Sequence, residues 1–221
     1  MAHVFVTGAT GYLGRGLIPE LLAHGHRVRG LVRPGRECGL PVGCEAVVGD
    51  ALDAASYAHA IAPADTFIHL VGVAHPSPSK AKQFQTIDLA SARLAAVAAR
   101  AANVGHFIHV SVAQPAPVMH AYIAARAAAE QAILDAGLNA TILRPWYVLG
   151  PGHRWPYLLS PVFWLLERLP GTRETACRLG FVTLAEMTRA LRHAVDHPVS
   201  GIRIRAVPEI REPAQELPPK I

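Results

Sequence analysis

The sequence predicts an α/β fold in which a doubly wound parallel sheet carries helices on both faces. Short β-branched runs alternate with longer helical segments through the first 145 residues. Successive parallel strands need crossover connections, which helices of this length provide. Hydrophobic residues make up 51% of the 221-residue chain and charged residues 17%, as expected of a compact globular protein.

Each predicted strand is an apolar run that ends at glycine, proline or a polar residue. The strands are expected at 3–7, 27–32, 45–48, 66–71, 106–110 and 141–143. Each predicted helix is either periodic in leucine or rich in alanine, the residue with the most favourable helix propensity. The helices are expected at 12–24, 79–102 and 121–136, the last ending at Gly137.

The pattern changes after Pro145, where proline, tryptophan and glycine become frequent. A helix is expected at 157–169, a strand at 180–183, a helix at 184–196 and a strand at 201–207. We therefore expect a main domain over residues 1–145. A small C-terminal appendage over 146–207 would complete it, and a flexible tail rich in proline and glutamate would follow over 208–221.

The formal net charge is +5, from 21 basic and 16 acidic residues. The arginines are spread along the chain without a dense run, so we expect an anionic small-molecule ligand and no nucleic acid. No apolar stretch reaches the roughly 20 residues of a transmembrane helix. Three cysteines without a recognisable leader favour a reducing, cytoplasmic setting. A redox pair of Cys38 and Cys44 is the alternative to plain thiols.

A glycine turn, Gly8–Gly14, joins the first predicted strand to the first predicted helix. Gly8 would permit the tight turn, Gly11 the approach of a pyrophosphate, and Gly14 close packing of helix on strand. The helix N-terminus would offer free N–H groups to the phosphates. The turn therefore predicts a dinucleotide site over residues 1–145. Its expected contacts are Thr7, Gly8, Thr10, Gly11, Tyr12, Leu13 and Gly14.

The spacing G-x-x-G-x-x-G within T-G-A-T-G-Y-L-G resembles the short-chain dehydrogenase/reductase superfamily, in its extended and atypical branches. The resemblance continues to about Val207. It implies a Rossmann-type fold, an NAD(P) cofactor and an epimerase-like arrangement of the chain.

The end of the second strand indicates which dinucleotide is preferred. NAD-specific domains usually carry an acidic residue there, whereas this chain has Arg33, followed by Arg36. A guanidinium can bind a 2′-phosphate bidentately. We therefore expect NADP(H) in preference to NAD(H), with two solvated loop arginines as the alternative.

The resemblance implies further cofactor contacts after the third, fourth and sixth strands. They would contact the adenine, the ribose and the nicotinamide amide, respectively. The residues are Asp50, Ala51 and Leu52; Leu70, Val71 and Gly72; and Pro145, Tyr147 and Val148.

The resemblance also implies a catalytic Ser, a Tyr and a Lys four residues after the Tyr. Ser111 and Tyr122 match, but Arg126 stands where the family has Lys. Tyr122 would exchange the hydroxyl proton, Ser111 would orient the substrate oxygen and Arg126 would hold the ribose. Arg126 cannot release a proton as Lys can, so turnover is less securely predicted than binding. The alternative is that Tyr122 is a core aromatic and Arg126 pairs with Glu130.

Two readings of function follow. The first is an NADPH-dependent atypical short-chain oxidoreductase that transfers hydride to or from a small apolar carbonyl compound. The second is a non-catalytic NADPH-binding protein of redox-sensing or assembly type, and an epimerase or dehydratase is a weaker third. Close approach of the two alanine-rich helices between copies would give a homodimer.

Aromatic residues after Pro145 suggest an apolar wall for the substrate or simple packing; they are Trp146, Tyr147, Trp155, Tyr157, Phe163 and Trp164. His193 and His197 have metal-ligand spacing, but no third ligand is indicated, so no metal site is expected.

Overall fold

The computed structural model describes residues 1–151 and 173–212. Within these residues the main sheet has seven strands in the order β3-β2-β1-β4-β5-β6-β9, all parallel. A separate parallel pair is formed by β7 and β8. The strands are β1 His3–Thr7, β2 Arg27–Val32, β3 Glu45–Val48, β4 Thr66–His69, β5 His106–Val110, β6 Ala140–Leu143, β7 Tyr147–Leu149, β8 Phe181–Thr183 and β9 Ile202–Arg205. The predicted doubly wound parallel sheet is confirmed.

Helices cover both faces of this sheet. They are α1 Tyr12–Ala23, α2 Ala81–Gln83, α3 Ala90–Ala101, α4 His120–Asp135, α5 Arg173–Arg178, α6 Leu184–Asp196 and α7 Val207–Arg211. One core layer packs α1, α6 and α7 against the sheet, with Leu17, Ile18 and Leu191 fully buried. The other contains the alanines of α3 and the rings of Phe5, Phe67 and Phe107, of which Phe67 and Phe107 are stacked.

The helix expected at 79–102 is not uniform. It begins with a short 3-10 turn at Pro78–Lys80 and α2, passes through a π-helical turn at Phe84–Leu89, and only then becomes α3. The wider turn buries Phe84, Asp88 and Leu89 together. π-Helical turns are rare and occur frequently at functional sites, and helix propensity does not reveal them.

The strand expected at 66–71 ends at His69. Leu70 and Val71 leave the sheet because they cross the glycine turn: a Cβ on Gly8 would lie 2.8 Å from the Leu70 carbonyl carbon. The β4 end and the glycine turn are therefore in direct backbone contact.

The C-terminal part differs from the expectation at two points. The strand expected at 201–207 is shorter, and Val207 instead begins α7, whose Val207 and Ile210 are buried. The chain is therefore ordered through the first residues of the expected tail. The helix expected at 157–169 and residues 213–221 lie outside the described residues. The described cysteines are free thiols, and burial raises the pKa of Cys44 to about 11.

No helix in the described ranges is long and apolar enough to cross a membrane.

Candidate functional site

The candidate site lies at the carboxyl ends of β1 and β4, where the strand order reverses direction. In open parallel sheets this switch point forms a ligand-binding crevice, because the two flanking connections diverge from it. Here it opens into a cavity of about 640 Å³. The lining residues are Gly8, Thr10, Gly11, Leu31, Arg33, Gly49, Asp50, Ala51, Leu52, Leu70, Val71, Gly72, Val73, Ala74, Lys80, Gln83 and Ile87.

The glycine turn forms the floor of this cavity, and its geometry requires glycine. Gly8 has φ +76°, a left-handed conformation that side chains disfavour. A Cβ on Gly14 would lie 2.5 Å from the Ala9 carbonyl oxygen, so α1 could not pack so closely on the turn with any larger residue. Gly11, which also lines the cavity, is the N-cap of α1.

The N-terminus of α1 suits an anionic group. No side chain caps it, and its first turn contains no acidic residue. The first N–H groups of a helix have no partner within the helix, and the helix dipole adds partial positive charge there. The turn therefore has the donors and the space that a pyrophosphate requires.

Arg33, Asp50, Ala51 and Leu52 line the end of the cavity beyond β2 and β3. The Asp50 carboxylate accepts a hydrogen bond from the Leu52 N–H (2.9 Å), which holds the β3 end in a turn. Arg33 is exposed and has no ion pair among the described residues. The predicted companion, Arg36, is also exposed but does not line the cavity.

The turn after β4 covers the cavity from the other side. Leu70, Val71 and Gly72 line it as expected, whereas Thr7 does not, because its hydroxyl is bonded to His69 Nδ1 (2.8 Å). Tyr12, Leu13 and Gly14 also lie off the cavity. A Cβ on Gly150 would clash with the Tyr12 hydroxyl, so this hydroxyl lies against Gly150, the residue after β7.

The sequence predicted no coenzyme contact at several lining residues, which come from the segment after Gly72 and from the ends of β2 and β3. Lys80 is the charged one: its Nζ donates hydrogen bonds to the carbonyl oxygens of Ala74 (2.6 Å) and His75 (3.0 Å), and it faces the cavity. Its sequence neighbours carry no motif, so only the fold of the loop indicates it. The others are Leu31, Gly49, Val73, Ala74, Gln83 and Ile87.

Tyr122 and Arg126 are neighbours in the first turns of α4. The Arg126 guanidinium carbon lies 5.3 Å from the centroid of the Tyr122 ring, within cation–π range. On its other side the half-buried Tyr122 ring contacts Phe84, with centroids 4.9 Å apart. Ser111 follows β5 and is 3% exposed, with no hydrogen-bond partner for its hydroxyl among the described residues. Arg126 Nη1 donates to the carbonyl of the adjacent Val110 (3.0 Å).

Arg126 does not pair with Glu130, so that part of the alternative is wrong. It is buried, and its Nη2 lies 2.7 Å from the carboxylate of Asp88 in the π-helical turn. Glu130 instead accepts a hydrogen bond from Arg144 Nε (3.0 Å). Ser111, Tyr122 and Arg126 all lie outside the lining of the cavity over the glycine turn.

Two buried histidines lie next to this ion pair. The rings of His69 and His109 stack with centroids 5.5 Å apart, and both side chains are fully buried. Burial, reinforced by the positive charge of Arg126, lowers the pKa of His69 to about 3. Burial, with contributions from His69 and Arg126, also lowers the pKa of His109 well below its usual value. At neutral pH both rings are therefore uncharged.

The residues after β6 form the neighbouring β7–β8 unit. Pro145 is buried and its carbonyl accepts the Ala113 N–H (3.0 Å), which ties this segment to the loop after Ser111. Tyr147 and Val148 belong to β7 and do not line the cavity. Of the expected aromatic wall, Trp155, Tyr157, Phe163 and Trp164 lie outside the described residues.

His193 and His197 stack on each other at 4.1 Å, and His193 Nδ1 faces Arg205. Within the ranges 1–151 and 173–212, no group of three His, Cys, Asp or Glu side chains is arranged to hold a metal.

Comparison with known proteins agrees with this geometry. The chain is 35% identical over 151 residues to the ceramide reductase of Caulobacter vibrioides. The matched region covers 67% of this chain and 47% of the relative. It is 28% identical over 171 residues to a 4-hydroxy-2-methyl-3-oxo-4-farnesyl-3,4-dihydroquinoline-1-oxide ketoreductase of Stigmatella aurantiaca, covering 67% of this chain and 51% of that one. The chain thus spans about half the length of these curated relatives.

Among solved structures, the Bordetella bronchiseptica enzyme WbmH in complex with NAD+ has a similar fold. The TM-score is 0.69 at 22% identity, over 93% of this chain and 75% of WbmH. The family described as NAD(P)H-binding matches residues 8–153, which include the glycine turn, the cavity and α4. With the Rossmann-type sheet and the glycine turn at its switch point, this chain belongs to the NAD(P)H-binding family.

Proposed function

We propose that this protein is an NADPH-dependent oxidoreductase of the atypical short-chain type, acting on a small apolar carbonyl compound. The observation that carries the proposal is the 640 Å³ cavity, which runs from the glycine turn to Arg33. Both ends of the cavity suit phosphate groups, one through the α1 N-terminus and the other through the exposed guanidinium of Arg33.

Arg33 is the proposed 2′-phosphate ligand, and Arg36, in the same exposed loop, is the second candidate. A charge-assisted bond to phosphate contributes roughly 1.5–3 kcal/mol, or about 10- to 100-fold in affinity. We expect Arg33→Ala to lower the affinity for NADPH by that factor and to leave NADH affinity nearly unchanged. Arg100→Ala, an exposed arginine at the far end of α3, is the matched control. An unchanged ratio of NADPH to NADH affinity in Arg33→Ala would refute the assignment.

The remaining proposed coenzyme contacts follow the cavity and the segments beside it. Asp50, Ala51 and Leu52 would contact the adenine, and Leu70, Val71 and Gly72 would cover the ribose and pyrophosphate. On the nicotinamide side the proposed contacts, Pro145, Tyr147 and Val148, come from the segment that leads into β7.

Ser111 and Tyr122 are the proposed catalytic pair. The coenzyme held in the cavity would supply the hydride for the substrate's carbonyl carbon. The Tyr122 hydroxyl would donate the proton that the carbonyl oxygen needs, and the Ser111 hydroxyl would donate a hydrogen bond to the same oxygen. The buried Ser111 hydroxyl has no partner among the described residues, which leaves it available for that bond.

The names of the two relatives favour an apolar substrate. One is a reductase of ceramide and the other reduces a ketone that carries a farnesyl group. We propose that residues 146–207 form the substrate side of the same domain, and that the exposed faces of α3 and α4 can pair two copies. Sedimentation equilibrium tests the pairing.

The activity test measures NADPH oxidation against a panel of aldehydes, ketones and quinones with apolar chains. Direct titration of NADPH accompanies it. We expect Tyr122→Phe to lower kcat at least 100-fold with little change in NADPH affinity. Tyr57→Phe removes the hydroxyl of a fully buried core tyrosine instead, and should leave kcat unchanged.

A non-catalytic NADPH-binding protein is the second candidate, favoured by one observation. Arg126, in the position of the family's lysine, is occupied by Asp88 and Val110 and does not line the cavity. Tight NADPH binding without turnover on any substrate, and without an effect of Tyr122→Phe, would select this function over the oxidoreductase.

A further inference from the structure

We propose that Asp88 and Arg126 form a buried ion pair that positions both halves of the candidate site, the turn after β4 and the Tyr122 ring. Arg126 would then be a positioning residue and not a ligand of the coenzyme ribose. The inference deepens the proposed function and rests on it for the role of Tyr122, although the pair itself can be tested without turnover.

The contacts of Arg126 leave it little freedom to reach a ligand. Nη2 is paired with the Asp88 carboxylate at 2.7 Å, and Nη1 donates to the Val110 carbonyl at 3.0 Å. The Arg126 side chain is 7% exposed and that of Asp88 is fully buried. Breaking a buried pair by removing one partner leaves an uncompensated buried charge, which is costly. The pair therefore holds the guanidinium in one place.

Asp88 connects the pair to the cavity. While one carboxylate oxygen faces Arg126, the other accepts the Val73 N–H at 3.1 Å. Val73 belongs to the turn that lines the cavity, next to Gly72 and Ala74. The carboxylate thus fixes the backbone of the turn over the coenzyme cavity from behind.

Gly72 is fitted to this arrangement. A Cβ at Gly72 would clash with Arg126 Nη2 and lie 3.3 Å from the Asp88 carboxylate, so the guanidinium occupies the space that any side chain would need. The turn after β4 and Arg126 are therefore packed directly on each other.

On its other side Arg126 lies against the Tyr122 ring, which in turn contacts Phe84 from the π-helical turn. Phe84 and Asp88 both belong to the π-helical turn Phe84–Leu89, and both are buried. This single turn therefore contacts Tyr122 directly through Phe84 and indirectly through Asp88 and Arg126. Loss of the pair should disturb Tyr122 as well as the turn.

The test compares Asp88→Asn with Glu130→Gln. Each substitution neutralises a buried carboxylate that is paired with an arginine, but neither Glu130 nor Arg144 lines the cavity. We expect both variants to lower the melting temperature. Only Asp88→Asn should raise the Kd for NADPH and NADH, by about tenfold for both, and lower kcat at saturating coenzyme.

A double variant separates positioning from stability. Asp88→Leu combined with Arg126→Met replaces the pair with apolar side chains, a change that is often neutral or stabilising for a buried pair. We expect this protein to regain most of the melting temperature and to retain the weakened coenzyme binding. Wild-type Kd in the double variant, or equal Kd changes in Asp88→Asn and Glu130→Gln, would overturn the proposal.

A measurement on the unmodified protein is independent of any variant's folding and of turnover. NMR of the arginine side chains should show slow rotation about the Nε–Cζ bond of the Arg126 guanidinium. The signal is assigned to Arg126 by its loss in Arg126→Lys. Rapid rotation of the Arg126 guanidinium would show that no fixed pair exists. If no substrate is ever reduced, the Kd and NMR results still decide the proposal.

Discussion

Acidification should destabilise this protein through His69, and the size of the effect follows from its burial. His69 is fully buried, with Nδ1 facing the Thr7 hydroxyl (2.8 Å) and Nε2 facing the Ser91 hydroxyl (3.3 Å). The charged groups of Arg126 and Asp88 and the neutral ring of His109 adjoin it. Burial and the adjacent positive charge of the Arg126 guanidinium both disfavour protonation of the His69 ring.

The sign follows from proton uptake. Below pH 6.5 the His69 of the unfolded chain takes up a proton, but in the folded protein the pKa of His69 is about 3. The free energy of unfolding is therefore retained above pH 6.5 and falls as the pH decreases from 6.5 towards 3. Each pH unit in that window costs about 1.4 kcal/mol per histidine. Between pH 6.5 and pH 4.5, His69 alone should cost roughly 2–3 kcal/mol.

Urea unfolding at pH 7, 6, 5 and 4.5 measures this loss in the wild type and in His69→Gln. Gln cannot titrate, so the variant should start less stable at pH 7 and lose about 2–3 kcal/mol less on acidification. His59→Gln, at an exposed site in a 3-10 turn, serves as the control and should keep the wild-type slope. Parallel pH profiles for the wild type and His69→Gln would refute the reasoning.

Three further predictions concern the glycine turn, helix α6 and the cavity. Gly14→Ala should weaken coenzyme binding at least tenfold in a direct titration, because its Cβ would lie 2.5 Å from a carbonyl oxygen of the turn. The control Gly105→Ala should leave coenzyme binding unchanged, because its Cβ meets nothing closer than 3.5 Å. Thr183→Ala removes the capping box of α6 and should lower the free energy of unfolding by about 1 kcal/mol in urea titration, with recovery in Thr183→Ser. Lys80→Met should weaken NADPH and NADH binding by the same factor, roughly 3- to 10-fold, and should reduce the salt dependence of coenzyme binding. Arg33→Ala, in contrast, should weaken the binding of NADPH alone. Unequal effects of Lys80→Met on the two coenzymes would contradict it.

The sheet and the glycine turn could be predicted because their signals are local. The boundaries of β1, β2, β3 and β5 agree with the expectation, since each strand is a compact apolar run ended by a break in the pattern. Gly8, Gly11 and Gly14 are spaced by the geometry of one turn, so their roles follow from their order. Arg33 directly follows the apolar run of β2, so its place at the end of that strand could be predicted, and the structure has it lining the cavity.

The partner of Arg126 could not be predicted in this way. Spacing along α4 suggested Glu130, the acidic residue one turn away, but Glu130 pairs with Arg144 and Arg126 with Asp88. Asp88 is distant in sequence and faces Arg126 from a π-helical turn that interrupts the alanine-rich helix. A coenzyme contact at Lys80 was not predicted for a similar reason, since the fold of the loop after β4 brings it to the cavity.

The sequence by itself therefore determined the order of strands and helices, the dinucleotide turn and the chemical types near it. These depend on interactions between residues close together in the chain. Only the tertiary structure decided which charges meet in the interior. A buried charge is stable only beside its partner, and the partner is set by how distant segments pack.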